Sequence, residues 1–136
     1  MPRFPSAAWM DALCGQIETQ EDIGEVADAL DGVYRFVIEP AGPVGERHVY
    51  DVALRPSGDG GATASLVDGD APDPRLTLTA SYERWRQLIT GRLDVGMAIM
   101  LRRLRVGGDL SGLVREVSTA KPLMNALRSV DTDWER

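Results

Sequence analysis

The amino-acid sequence predicts an α+β fold: a single five-stranded sheet with helices laid over one face. Three observations predict it. Between residues 32 and 80, apolar residues recur at every second position in short runs separated by Pro, Gly and Asp clusters, as in half-buried strands. Before and after that region they recur at three- and four-residue spacing, as in amphipathic helices. At 136 residues, 43% hydrophobic and 26% charged, the chain is long enough to bury a core without metals or disulfides, and one domain over 1–136 is expected.

Residues 1–31 read as a helical segment. Ser6 is a suitable N-cap for a helix carrying Trp9, Met10, Leu13 and Ile17. After "ETQED", Ile23, Val26 and Leu30 mark a second short helix ending at Asp31-Gly32. Residues 32–80 hold four strands. "GVYRFVIE" sets Tyr34, Phe36 and Ile38 against Arg35 and Glu39, and "RHVYDVALR" puts His48, Tyr50, Val52 and Leu54 on one face. "ATASLVD" is shorter and weaker, and the turn clusters between the three runs predict an antiparallel meander. The acidic loop "DGDAPDP" leads into "RLTLTA", with Leu76 and Leu78 opposite Thr77 and Thr79.

Two helices follow over 81–101. Ser81 can cap the first, whose Tyr82, Trp85, Leu88 and Ile89 form a stripe closed by Gly91; Asp94 can cap the second, with Met97, Ala98, Met100 and Leu101. Residues 102–107 alternate as a fifth strand, Leu104 and Val106 against Arg103 and Arg105. Gly107 and Gly108 turn the chain into a C-terminal helix, 109–130, capped by Asp109. It carries Leu110, Leu113, Val114 and Val117 at i, i+3, i+4 and i+7. Pro122 requires a kink or restart, after which Leu123, Met124 and Leu127 continue the apolar face.

Several function classes are disfavoured. A net charge of −6 argues against a general nucleic-acid binder, which needs a positive field. A single cysteine, Cys14, excludes an intrachain disulfide and a cysteine-based zinc site, and a single histidine, His48, excludes metal sites needing two. No cofactor or metal is expected. "MPRFPSAAWMDAL" is interrupted by Pro5, Ser6 and Asp11, unlike a signal-peptide core, and no apolar run reaches the about eighteen residues of a membrane span. A cytoplasmic protein is expected, able at most to touch a membrane transiently.

Little in the sequence resembles catalytic machinery. His48 lies mid-strand among alternating apolar neighbours and is expected to pack on or rim the sheet; Cys14 has no basic neighbour to lower its pKa and reads as a buried filler. A small enzyme would have only His48, Tyr50, Asp51 and scattered carboxylates to draw on. Asp68, Asp70 and Asp73 lack the glycine and closing glutamate of a calcium loop, and Gly107-Gly108-Asp109 lacks a phosphate-loop pattern. Arg102, Arg103 and Arg105 have two readings: a solvated strand face, or a surface attracting the anionic head of an amphiphile or an acidic lipid surface. Met97 and Met100 suit either a core or a pocket adapting to varied apolar shapes. Trp134 sits in an acidic tail with no evident packing role.

The stretch "LTLTASYERWRQLITGRLDVGMAIMLRRLRVGGD", residues 76 to 109, resembles the signature of the sterol carrier protein (SCP-2-like sterol-transfer) family. The matching features are Leu76 to Thr79, Leu88-Ile89, Gly91 to Asp94, Ala98 to Met100, Leu104 to Val106, and Gly108-Asp109; "FPSAAWMDAL" extends the likeness to the N-terminus, as in stand-alone bacterial members. The resemblance implies an α-β3-crossover-β-α-β fold with a mainly antiparallel sheet and an apolar cavity under its helices. It also implies non-catalytic binding or transfer of a sterol, fatty acid or fatty acyl-CoA. On that basis Trp85, Leu88, Ile89, Met97, Met100, Leu101, Leu104, Leu113, Leu123, Met124 and Leu127 are expected to line the cavity. One departure stands out: members usually have glycine just before the last strand, where this chain has Arg102, which would narrow the cavity mouth or select an anionic head group. The alternative is the same fold with a filled core, serving as a homodimerisation or protein-interaction module.

Overall fold

A computed structural model describes residues 2–67, 74–108 and 121–134. The acidic loop expected over 68–73 and the first half of the C-terminal helix, with Leu110, Leu113, Val114 and Val117, lie outside the described residues. In chain order the elements are β1 (Arg3–Phe4), α1 (Ala7–Glu18), α2 (Ile23–Leu30), β2 (Gly32–Glu39), β3 (His48–Pro56), β4 (Ala62–Val67) and β5 (Leu76–Ser81). Then come α3 (Tyr82–Ile89), α4 (Val95–Met100), β6 (Arg105–Gly108), α5 (Lys121–Ser129) and β7 (Asp133–Trp134).

Five strands form one sheet in the order β4-β3-β2-β5-β6. Every neighbouring pair is antiparallel except β2 and β5, which run parallel and require the crossover that the family likeness implies. Register then decides which residues share a face. Tyr34 lies between Val52 and Leu76, and Phe36 between Tyr50 and Leu78, so the apolar positions of three strands form one continuous inner surface. Arg35 lies between Asp51 and Thr77 on the outer surface. Slipping β2 by one residue would exchange the two sets, which is why burial of the inner face specifies the register.

The helices cover that inner face. α1 and α2 pack on β3 and β4, α3 packs against β5 and β2, and α5 rests on α1 and α3 rather than on the sheet. Side-chain oxygens of Ser6, Ser81 and Asp94 accept from the amides of Trp9, Arg84 and Met97, so these three predicted N-caps are made, while Asp109, the fourth, lies outside the described residues. Pro122 stands at the second described position of α5. Gly24 on α2 meets the β3–β4 turn so closely that a Cβ there would stand 2.0 Å from the carbonyl oxygen of Gly60. Only glycine permits this approach.

Two features differ from the sequence expectation. The fifth strand spans Arg105–Gly108 rather than 102–107, because residues 101–104 close α4 instead of extending, and Gly107 and Gly108, expected as a turn, pair with Thr77 and Leu76. The amide of Arg103 donates to the Ala98 carbonyl at 2.8 Å, that of Arg102 donates to Ile99 at 3.1 Å, and Arg102 has φ +57°. This is a Schellman C-cap with Arg102 at the left-handed position. The second difference is a clasp between the chain's ends: β1 and β7 pair in parallel, matching Arg3 with Asp133 and Phe4 with Trp134. The Phe4 ring centroid lies 4.8 Å from Trp9, 5.6 Å from Trp134 and 6.1 Å from Tyr82, and the Arg86 guanidinium sits 5.3 Å above the Trp134 ring. The Trp9 indole N–H donates to Thr132 at 2.8 Å. Trp134 is therefore a packing residue, not a free tail.

Candidate functional site

Between the sheet's inner face and the helices lies a cavity of about 150 Å³. The sheet supplies its floor, with Tyr34 and Phe36 from β2, Val52 and Leu54 from β3, and Leu76 and Leu78 from β5. Leu13 and Ile17 of α1 and Leu30 of α2 close one side; Trp85 and Leu88 of α3, Val95 and Ile99 of α4, and Leu104 close another. Leu123, Met124 and Leu127 of α5 roof it. These positions follow from the two periodicities already described, alternate residues from strands and i, i+4 neighbours from helices.

The wall's polar atoms are already engaged. The Trp85 indole N–H donates to the Val37 carbonyl at 2.9 Å, and the Tyr34 hydroxyl donates to the Leu30 carbonyl. Burial pushes the Tyr34 phenol up to about 12, with Arg75 acting weakly against that shift and Asp31 adding to it. No buried side-chain nitrogen or oxygen among the described residues lacks a partner. Water inside such a cavity would find little to bond, so the space favours hydrocarbon. Contact between the Phe36 and Trp85 rings, with centroids 5.7 Å apart, fixes the floor against α3.

The expected lining residues divide into four groups. The structure brings Trp85, Leu88, Leu104, Leu123, Met124 and Leu127 together around the cavity. Ile89 is buried in the same core but off the cavity wall. Met97, Met100 and Leu101 point outward, with 47%, 74% and 49% of their surface exposed, because α4 buries Ala98, turns Val95 and part of Ile99 toward the cavity, and leaves the opposite stripe to solvent. Leu113 lies outside the described residues. Arg102, expected at the cavity mouth, is exposed in the turn after α4 and is not on the cavity wall.

Residues missed from the sequence are chiefly the strand positions. The alternation of Tyr34 with Phe36, Val52 with Leu54 and Leu76 with Leu78 is visible in the sequence, and it identifies the floor once that face is known to turn inward. Of the groups available to an enzyme, His48 and Tyr50 come together, with the Tyr50 hydroxyl 3.4 Å from His48 Nδ1, while Asp51 and Cys14 lie elsewhere. Asp51 is on the outer face, held by Arg35 through Nε–Oδ1 and Nη2–Oδ2 bonds of 2.9 and 3.1 Å. His48 and Tyr50 are on the inner face, their rings stacked 6.2 Å apart, and burial raises the Tyr50 pKa. Cys14 is buried, and desolvation, with Asp11 and Glu18 adding to it, pushes its thiol up to about 11. Such a thiol is unsuited to nucleophilic work.

Sheet order, the single parallel pairing and helices over one face define an α+β domain of the sterol-carrier type. The same fold occurs in a crystal structure of sterol carrier protein 2, with 22% identity, TM-score 0.75, and 93% of this chain and 98% of that one covered. A conserved hypothetical protein from Thermus thermophilus gives 22% identity and a TM-score of 0.74, covering 94% of this chain and 90% of that one. The fold also forms part of a larger enzyme, the sec-alkylsulfatase Pisa1 from Pseudomonas sp., at 16% identity and TM-score 0.57, with 96% of this chain matching 17% of the enzyme. No curated protein sequence matches. The SCP-2 sterol transfer family profile matches residues 10–120, and the chain belongs to that family of lipid-binding domains. No helix among the described residues is long and apolar enough to cross a membrane.

Proposed function

We propose that this protein binds and transfers an apolar ligand of the sterol, fatty acid or fatty acyl-CoA type, without covalent chemistry, in the cytoplasm. The supporting observation is the cavity, whose lining carries no polar group left to be satisfied. A cavity of about 150 Å³ holds a benzene-sized group. Each buried methylene contributes about 0.8 kcal/mol, so six carbons contribute on the order of 5 kcal/mol before ordering costs. A longer chain needs the roof to yield. The half-buried Leu123, Met124 and Leu127, on a helix resting on α1 and α3 rather than on the sheet, are suited to that movement.

The cavity's size favours a second reading as well, because ligand pockets usually begin near about 300 Å³. In that reading the same fold has an essentially filled core and acts as a homodimerisation or protein-interaction module. Native mass spectrometry of gently purified protein separates the two. Co-purifying lipid that organic extraction releases, together with saturable binding of a fluorescent fatty acid, supports the carrier. Protein that is reproducibly empty, indifferent to the probe and dimeric supports the module.

A further inference from the structure

Among the described residues, the exposed large hydrophobic side chains are Val49 and four neighbours at the end of α4: Met97, Ile99, Met100 and Leu101. Met97, Met100 and Leu101 stand at i, i+3 and i+4 and form one stripe. Arg102 and Arg103 follow at once, both exposed and without an acidic partner among the described residues. Arg105 differs, since it pairs with Glu39 on the outer sheet face. On a chain of net charge −6, this is a local apolar surface with a basic fringe that has no acidic partner among the described residues.

We propose that the C-terminal half of α4 and the turn after it dock on an anionic membrane surface. The apolar stripe would enter the interfacial region while Arg102 and Arg103 meet phosphate-bearing head groups. Charge polarity along the helix sets the orientation: Asp94 caps the N-terminal end and the arginines follow the C-terminal end, beside Met100, the most exposed large hydrophobic among the described residues. Charge also selects lipid over a second copy of the chain. A twofold contact through this patch would bring the arginines of both copies together, whereas anionic lipid neutralises them. The opposite face of α4 bears Val95 and Ile99 on the cavity wall, so the membrane would act on the helix that closes the cavity. That last role in loading or delivery rests on the carrier reading; the docking does not.

Flotation of the full chain with phosphatidylcholine vesicles, with and without phosphatidylglycerol, tests the proposal. Binding should require phosphatidylglycerol and weaken as salt is added. Arg103→Gln should lower partitioning about fivefold, and Arg102→Gln with Arg103→Gln about 25-fold. Met100→Glu with Leu101→Glu should abolish binding while circular dichroism and fluorescent fatty-acid binding in solution stay unchanged. That second readout separates the two ideas: loss of fatty-acid binding by the wild type defeats the carrier reading and leaves docking standing. Equal binding to both vesicle types, no binding to either, or variants that float like the wild type would overturn the docking surface. So would a dimer that dissociates on Met100→Glu.

Discussion

Arg35 and Asp51 face each other across β2 and β3 and share two hydrogen bonds, on the sheet surface turned away from the helices. Asp51 is only 5% exposed. Its carboxylate depends on that bidentate contact for much of what water would otherwise provide. Arg35→Met should therefore cost about 2 kcal/mol, and Asp51→Asn less, because the amide still accepts one bond and carries no charge. Urea denaturation measures both, and equal costs would deny the charge its role.

Gly24→Ala should be destabilising despite alanine's higher helix propensity. The added methyl would meet the Gly60 carbonyl oxygen at 2.0 Å, a backbone atom that cannot swing aside, and α2 must lift from the β3–β4 turn. A loss of about 2 kcal/mol is expected. A neutral result in thermal denaturation would mean that the turn gives way freely.

Arg102→Gly should act in the opposite direction. The residue holds φ +57°, a conformation that costs a side-chain-bearing residue on the order of 1 kcal/mol and glycine almost nothing. A gain of about 1 kcal/mol, seen as a melting point a few degrees higher, is expected. Arg102 thus bears on how α4 ends.

Alkaline pH should weaken the fold through Cys14. The unfolded thiol ionises near 9.0, while the buried one resists to about 11, so stability is full below pH 9 and falls as pH climbs to about 11. The loss from this group is on the order of 2–3 kcal/mol. Tyr34, raised from 10.0 to about 12, extends the decline. Denaturation midpoints across this range should drop less steeply for Cys14→Ala than for the wild type.

Leu78→Trp should block the cavity from its floor. Leu78 is half-buried and faces the open space from β5, so an indole can occupy it without displacing the core beneath. Fluorescent fatty-acid binding should disappear while the melting temperature holds. Retained binding would place the ligand elsewhere.

Most of the sheet is legible in the sequence because its strands are amphipathic with period two, and the helix starts are legible because Ser6, Ser81 and Asp94 are good caps. Local pattern does not report which stripe of a short helix meets the core. α4 carries apolar residues on both sides, and only its packing distinguishes Val95 and Ile99 from Met97, Met100 and Leu101. Likewise "LRRLRV" alternates like a strand throughout, yet its first half is consumed by a helix cap whose hydrogen bonds reach back to Ala98 and Ile99. β1 and β7 are two residues each, too short for any period, and their pairing joins positions more than a hundred residues apart.

That clasp offers a handle for observation. Paired strands run about 4.8 Å apart, so probes on Arg3 and Asp133 would be near neighbours. Phe4 and Trp134 both touch Tyr82, the first residue of the helix that carries Trp85 and Leu88. A pair of labels on the clasp would then sense strain in the cavity wall from outside, and a cysteine cross-link there would hold α3 still while the roof remained free to move.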